Sequence, residues 1–126
     1  MRNLDFLIRK ARKLLEIIPP SKHRHITFLL IRRRVMSVGW SKAFKTHPMG
    51  RKYGTRFDSI HSELDAILNF EFPPYVLHNV TMVNMRFSMD GKMSMSKPCE
   101  KCQKLISDFG IKEVYFTNRD GHFERF

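Results

Sequence analysis

Twice in its second half the chain passes from a segment of helical periodicity into a short β-favouring run, at residues 59 to 69 before VTMVNMRF and at PCEKCQKLISDFG before IKEVYFT. Such alternation implies a mixed sheet with helices packed on its faces. In the first segment Ile60, Leu64, Ile67 and Leu68 form the apolar stripe, and FPP stops it. In the second, Cys102, Leu105, Ile106 and Phe109 share a face, with Pro98 in the first turn and Gly110 as the stop. Upstream, residues 4 to 18 predict a helix with Leu4, Leu7, Ile8, Ala11, Leu14, Leu15 and Ile18 on one side, Asn3 as its cap and Pro19-Pro20 as its end. The runs HITFLLI and VMSVGW flank RRR at 32 to 34 and predict a two-stranded hairpin closed by a glycine and the only tryptophan. NRDG predicts a turn and HFERF an edge strand; so short a turn makes the strands it joins antiparallel. The expected fold is α/β, with a mixed four- to five-stranded sheet flanked by helices.

At 126 residues the chain is one domain's worth, residues 1 to 126. With 42% hydrophobic and 28% charged residues it reads as globular, and no apolar run approaches the roughly 18 residues of a membrane span. Cys99 and Cys102 are too few for a secreted disulfide framework and predict an intracellular, cytoplasmic protein. The basic start MRNLDFLIRKARKLL carries Asp5 and Glu16 and lacks a small-residue cleavage site, so it reads as folded structure. The net charge of +11 is one-sided: residues 1 to 57 hold 15 Lys and Arg against two acids, and residues 58 to 126 hold eight against ten. A field of that shape attracts polyanions, either nucleotide phosphates or nucleic acid. Residues 41 to 58, SKAFKTHPMGRKYGTRFD, lack sustained periodicity and read as a long loop of the kind that is usually functional or disordered.

His61 and Glu63 stand at the margins of the predicted stripe, about 75° and 85° to either side of its centre. Alone, an H-x-E is best read as two polar flanks of a surface helix. Beside Pro98-Cys99-x-x-Cys102 it reads differently. Both motifs fall at predicted helix starts, and a shared sheet could bring those starts together. Zinc favours Cys sulfur and His nitrogen, and catalytic zinc sites typically use three protein ligands with the fourth position left to water. Helix N-termini favour thiolate over thiol at both cysteines. Zinc lowers the pKa of its water from ~15.7 to about 7, and a carboxylate in the first helical turn could then shuttle the proton. A thioredoxin-like redox pair would leave His61 and Glu63 without a role, and a zinc ribbon would need a second C-x-x-C. A closed structural zinc site would need a fourth ligand, for which His47, His78 and His122 are the candidates.

The pairing of H-x-E with P-C-x-x-C is a known zinc-deaminase signature. The chain resembles the cytidine and deoxycytidylate deaminase superfamily over nearly its whole length: a first helix, a hairpin ending in VGW, HSELDAI, a strand, SKPCEKCQKLI and GIKEVYF. The resemblance implies a three-layer cytidine-deaminase-like fold, Zn²⁺ held by His61, Cys99 and Cys102, and Glu63 as the proton shuttle in hydrolysis of an exocyclic amine to a carbonyl. Ser41 stands where many relatives have a sugar-contacting asparagine, and Ser62 replaces the usual alanine of H-A-E. Ser41, Lys42, Lys45, His47, Arg51, Lys52 and Arg56 are the candidate substrate and phosphate contacts. The most favoured substrate is a cytosine nucleoside or nucleotide of the deoxycytidylate type, because the resemblance associates an antiparallel last strand with free nucleosides. Phe44, Tyr53 and Phe57 among the basic residues favour the alternative, base deamination in tRNA or single-stranded DNA. A catalytically inactive, zinc-stabilised nucleic-acid-binding module is the non-enzyme alternative. A second copy of the chain could complete the pocket, with Phe123 and Phe126 as candidate contacts.

Overall fold

The computed structural model describes residues 3–20, 24–43, 48, 52 and 59–126. α1 (Asp5–Leu14) has Leu4 at its N-cap position and not the expected Asn3, whose Oδ1 instead accepts the Asp5 backbone N–H at 3.0 Å one residue earlier in the chain. The predicted helix continues past Leu14 only as turns, with Ile17 and Ile18 both donating to the Leu14 carbonyl before the proline pair. The hairpin forms as expected from β1 (Arg24–Ile31) and β2 (Arg34–Trp40), and the Arg33 guanidinium lies 4.4 Å over the Phe6 ring, tying its tip to α1.

The segment at 41 to 58 is closed at its ends: β3 (Lys42–Ala43) pairs antiparallel with β4 (Ser59–Ile60). That ladder corrects the expected helix start. Ile60 belongs to a strand, and α2 (Ser62–Leu68) begins only after His61, its N-cap. Leu68 is exposed, so the buried face of α2 is carried by Leu64, Ala66 and Ile67. A 3₁₀ turn at Pro74–Asn79, which the sequence reading lacked, buries Leu77 and leads into β5 (Thr81–Phe87). Pro98 precedes the helix start; α3 (Glu100–Asp108) has Cys99 as N-cap and ends at Gly110, whose φ of +80 suits a glycine stop. Then follow β6 (Glu113–Thr117) and β7 (Phe123–Arg125).

The main sheet runs β2-β1-β5-β6-β7, parallel only between β5 and β6, the two strands joined through α3. β7 returns antiparallel to β6, as the short turn requires. Alternation along the central strands separates two apolar layers. Ile26, Phe28 and Leu30 of β1 pack with Val83, Met85 and Phe87 of β5 against Leu4, Leu7 and Ala11 on the α1 side. Leu29 and Met82 face the other way and meet Leu64, Ala66 and Ile67 of α2 with Leu105 and Ile106 of α3. The expected three layers are therefore present, α1 on one face and α2 with α3 on the other. No helix among the described residues is long and apolar enough to cross a membrane.

Candidate active site and metal centre

The starts of α2 and α3 both open at the end of the sheet where β5 and β6 finish, the usual ligand side of such sheets. His61 and Cys99 are N-caps in extended conformation, and neither side chain bonds its own helix. Each is therefore free to reach ahead of the helix end, and Cys102 meets them from the first turn of α3. His61 Nδ1 lies 3.2 Å from Cys102 Sγ and 4.0 Å from Cys99 Sγ, and the ligand atoms of all three lie within 4.8 Å of one another. A tetrahedral zinc with Zn–S about 2.3 Å and Zn–N about 2.0 Å separates nitrogen from sulfur by about 3.5 Å. The observed distances bracket that value, so the donor set fits zinc in both chemistry and spacing. Among the described residues this metal-ligand group has three members. His78 lies against Gly110, the His122 backbone N–H is held by Asn118 in the final turn, and His47 lies outside the described residues.

Protons are shared unequally within the group. Hydrogen bonds from Cys102 and His61 hold the Cys99 thiol far below its ordinary range, at about 3, so its sulfur is a thiolate. The same Cys99 bond, with burial, pushes the Cys102 thiol up. The bond to Cys99 also raises His61, against the opposing effect of burial. Zinc ligation requires both sulfurs as thiolates and the imidazole neutral, so binding works against the effects that raise Cys102 and His61.

The Cys99 end is delivered by residues 88 to 97, which arginines pin by their backbone carbonyls. Arg12 donates to Gly91 at 3.1 Å, Arg24 to Ser88 at 3.1 Å and Arg86 to Met95 at 3.4 Å. Ser96 bridges β5 and β6 where their pairing ends at Asn84↔Phe116, its hydroxyl donating to the Asn84 carbonyl at 2.9 Å and accepting the Thr117 N–H at 2.7 Å. Part of the basic character that suggests a polyanion partner thus serves to hold this connection.

Glu63 is buried and stands outside the ligand group. Its Oε1 lies 3.0 Å from Ser62 Oγ and its Oε2 accepts the Asn84 amide at 3.2 Å. Thr27 Oγ1 closes a ring, 2.8 Å from Ser62 Oγ and 2.6 Å from Asn84 Oδ1. Each of these contacts needs one hydrogen. The amide and the two hydroxyls supply three: with Ser62 donating to Oε1, the single Thr27 hydrogen is shared between Ser62 Oγ and Asn84 Oδ1, and a fourth hydrogen would have to come from a protonated Glu63. Burial raises the Glu63 pKa, and the bonds from its own backbone N–H and Ser62 and the charge of His61 oppose this without reversing it. Sequence reasoning found Glu63 and missed Thr27 and Asn84. Their signal was a polar residue inside each of two apolar runs, HITFLLI and VTMVNMRF, which only the register Thr27↔Asn84 brings together.

The remaining sequence candidates are more scattered. Ser41 extends the hairpin, its N–H bonding the His25 carbonyl at 3.2 Å. The Lys42 ammonium is paired with Asp65 and lies 4.4 Å over the Trp40 ring, so a phosphate contact from Lys42 would first have to break that pair. Lys52 is exposed. Lys45, His47, Arg51 and Arg56 lie outside the described residues. Phe123 packs against the α1-side core, and Phe126 packs against Phe116 with the rings tilted by 50° and their centroids 5.8 Å apart. Asp65, which the sequence reading passed over, also accepts the Trp40 N–H at 3.0 Å and ties α2 to the end of β2. Asp65→Ala is expected to cost about 1–3 kcal/mol, because it leaves that N–H and the Lys42 ammonium without their acceptor; urea denaturation of both proteins measures it.

No protein-family model matches the chain, and no curated protein matches it in sequence. Solved structures do. The chain is similar to the dCMP deaminase of cyanophage S-TIM5 in complex with dCMP and dUMP, with a TM-score of 0.63 and 16% identity over 94% of this chain and 85% of that one. The apo form of the same phage enzyme gives 0.56 and 16% over 90% and 81%. The likeness is one of fold: a cytidine and deoxycytidylate deaminase-like arrangement of sheet and helices, as the sequence resemblance implied.

Proposed function

We propose that the chain is a zinc-dependent hydrolytic deaminase acting on a cytosine nucleotide of the deoxycytidylate type. One observation carries the reading: among the described residues three ligand atoms of zinc-binding chemistry converge at two helix starts, beside a buried carboxyl that is not one of them. Structural zinc sites are closed by four protein ligands, whereas three leave a position for a reactant. His61, Cys99 and Cys102 would hold the ion, which when bound supplies Lewis acidity that brings the ionisation of water near neutral pH.

The chain's own chemistry then falls to Glu63. Hydrolysis forms a C4–O bond and breaks the C4–N bond of cytosine, so a proton must leave the attacking water and another must reach the departing nitrogen, which goes as ammonia. A carboxyl on one side of the reacting carbon can make both transfers, and a raised pKa suits a group that must hold the proton between them. Burial also keeps bulk water from competing for that proton.

Two observations favour a free nucleotide over a polynucleotide. The similar phage enzyme holds dCMP and dUMP, the substrate and product of this hydrolysis. The last strand pairs antiparallel to β6, the arrangement that the sequence resemblance associates with free nucleosides. Lys45, Arg51 and Arg56 are the basic residues proposed for the phosphate. The test is incubation of the zinc-loaded protein with dCMP, deoxycytidine, a cytosine-containing oligonucleotide and tRNA. Turnover of dCMP with a mass gain of about one unit is the expected result. Cys102→Ala and His61→Ala are expected to lose bound zinc, read by atomic absorption, together with all turnover. Full zinc occupancy without deamination of any substrate would overturn the reading, and turnover confined to a polynucleotide would replace the substrate.

A further inference from the structure

We propose that Asn84, acting through Thr27 and Ser62, is the positioning residue that fixes the Glu63 carboxyl against the metal-ligand group; this rests on the function proposed above. A glutamate side chain has three rotatable bonds and, on its own, many rotamers. Proton transfer tolerates little of that freedom, since donor and acceptor must meet at hydrogen-bond distance. Here both carboxyl oxygens are held from different elements. Oε2 is bound by Asn84 on β5, and Oε1 by Ser62, the neighbour of Glu63 on α2.

The two grips are not independent. Thr27 on β1 touches both Ser62 Oγ and Asn84 Oδ1, so each holder of the carboxyl is itself oriented by a third side chain. Asn84 is further fixed by its backbone, whose carbonyl accepts the Ser96 hydroxyl at 2.9 Å in the connection that carries Cys99. One strand residue therefore touches the proton carrier on α2 and is anchored to the segment that delivers a metal ligand to α3. Thr27, Ser62, Asn84 and Glu63 are all buried, so water does not substitute for a missing partner at no cost. Ser62 is the particular device of this chain, since an alanine there would leave Oε1 without its hydroxyl.

The readouts separate positioning from mere structural support. In the zinc-loaded protein, Asn84→Ala and Thr27→Val are expected to lower kcat by about 10- to 100-fold, the usual effect of removing a group that orients an active residue, with KM for dCMP little changed. Thr27→Ser, which restores the hydroxyl, is expected to recover most of what Thr27→Val loses. A second readout needs neither metal nor turnover: the carboxyl ¹³C resonance of Glu63 in glutamate-labelled protein, assigned by its absence in Glu63→Gln, shifts in Asn84→Ala and Thr27→Val and stays in place in Thr27→Ser. Should Asn84→Ala not fold, the volume-conserving Thr27→Val carries the test. Unchanged kcat and an unmoved resonance in the folded variants would overturn the assignment. If the unmodified zinc-loaded protein deaminates nothing, the proposed function fails, and the resonance alone decides whether Asn84 and Thr27 hold Glu63.

Discussion

Glu63→Gln is expected to abolish deamination and, in the metal-free protein, to raise the melting temperature. The two effects have one origin. Glutamine keeps the shape of the side chain but cannot take up and release a proton, so turnover falls by at least about 10³-fold if Glu63 makes both transfers. Zinc stays bound at one per chain, because the carboxyl is not in the ligand group. Stability moves the other way. The glutamine amide can donate to Ser62 while its oxygen accepts from Asn84, which supplies the hydrogen that the ring lacks around an ionised Glu63. The sign with pH follows from the raised pKa. A group whose folded pKa lies above its unfolded value contributes stability that is fully present below the unfolded pKa and is lost as pH rises through the folded one. The advantage of Glu63→Gln is therefore small near pH 4 and grows toward pH 8, where relief of a buried, under-bonded charge is worth about 1–3 kcal/mol. Thermal melts of both metal-free proteins across that range measure it. A melting-temperature difference that shrinks with rising pH would sink the account, as would a Glu63→Gln protein that still turns over substrate.

The candidate site residues were legible in the sequence because their spacing is local: His61 with Glu63, and Cys99 with Cys102, each belong to one helix start. What holds them was not legible. Thr27 and Asn84 are far apart in the chain, and neither run signals the other until β1 and β5 pair in one register. The stripe through Ile60 misled for a related reason. Periodicity counts an apolar residue toward a helix wherever it falls, but β3 claims residues 59 and 60 for a ladder and leaves His61 as the cap. The later start keeps what the first-turn placement already implied: His61 as the cap and Glu63 as a first-turn residue can serve one site, which mid-helix they could not. Lys42 shows the limit of reading charge as function: a lysine in a basic loop looks available for phosphate, and its partner Asp65 on α2 appears only with the fold.

Gly39 was read as the close of a strand, and its role is heavier: it is where α2 lies directly on β2. A Cβ there would stand 2.2 Å from the Ala66 nitrogen, 2.5 Å from the Ser62 carbonyl oxygen and 2.8 Å from the Ala66 Cα. All three are backbone atoms, so no rotamer change can relieve the overlap; the helix itself must move. Ser37 makes that movement harder, since its hydroxyl bonds the Ala66 carbonyl at 2.6 Å from the same strand. Gly39→Ala is therefore expected to exceed the common range for overpacking, at about 3 kcal/mol or more. For a domain of this size that is a fall of roughly 10 °C in melting temperature. The site should suffer with the fold. Lifting α2 shifts His61 and Glu63 together while Cys99 and Cys102 stay with α3, so zinc affinity and turnover drop even in the fraction that remains folded. A zinc titration of Gly39→Ala at a temperature below its melt separates these effects. Wild-type affinity there, with a melting temperature within about 2 °C of the parent, would show that α2 is not seated on Gly39 as described.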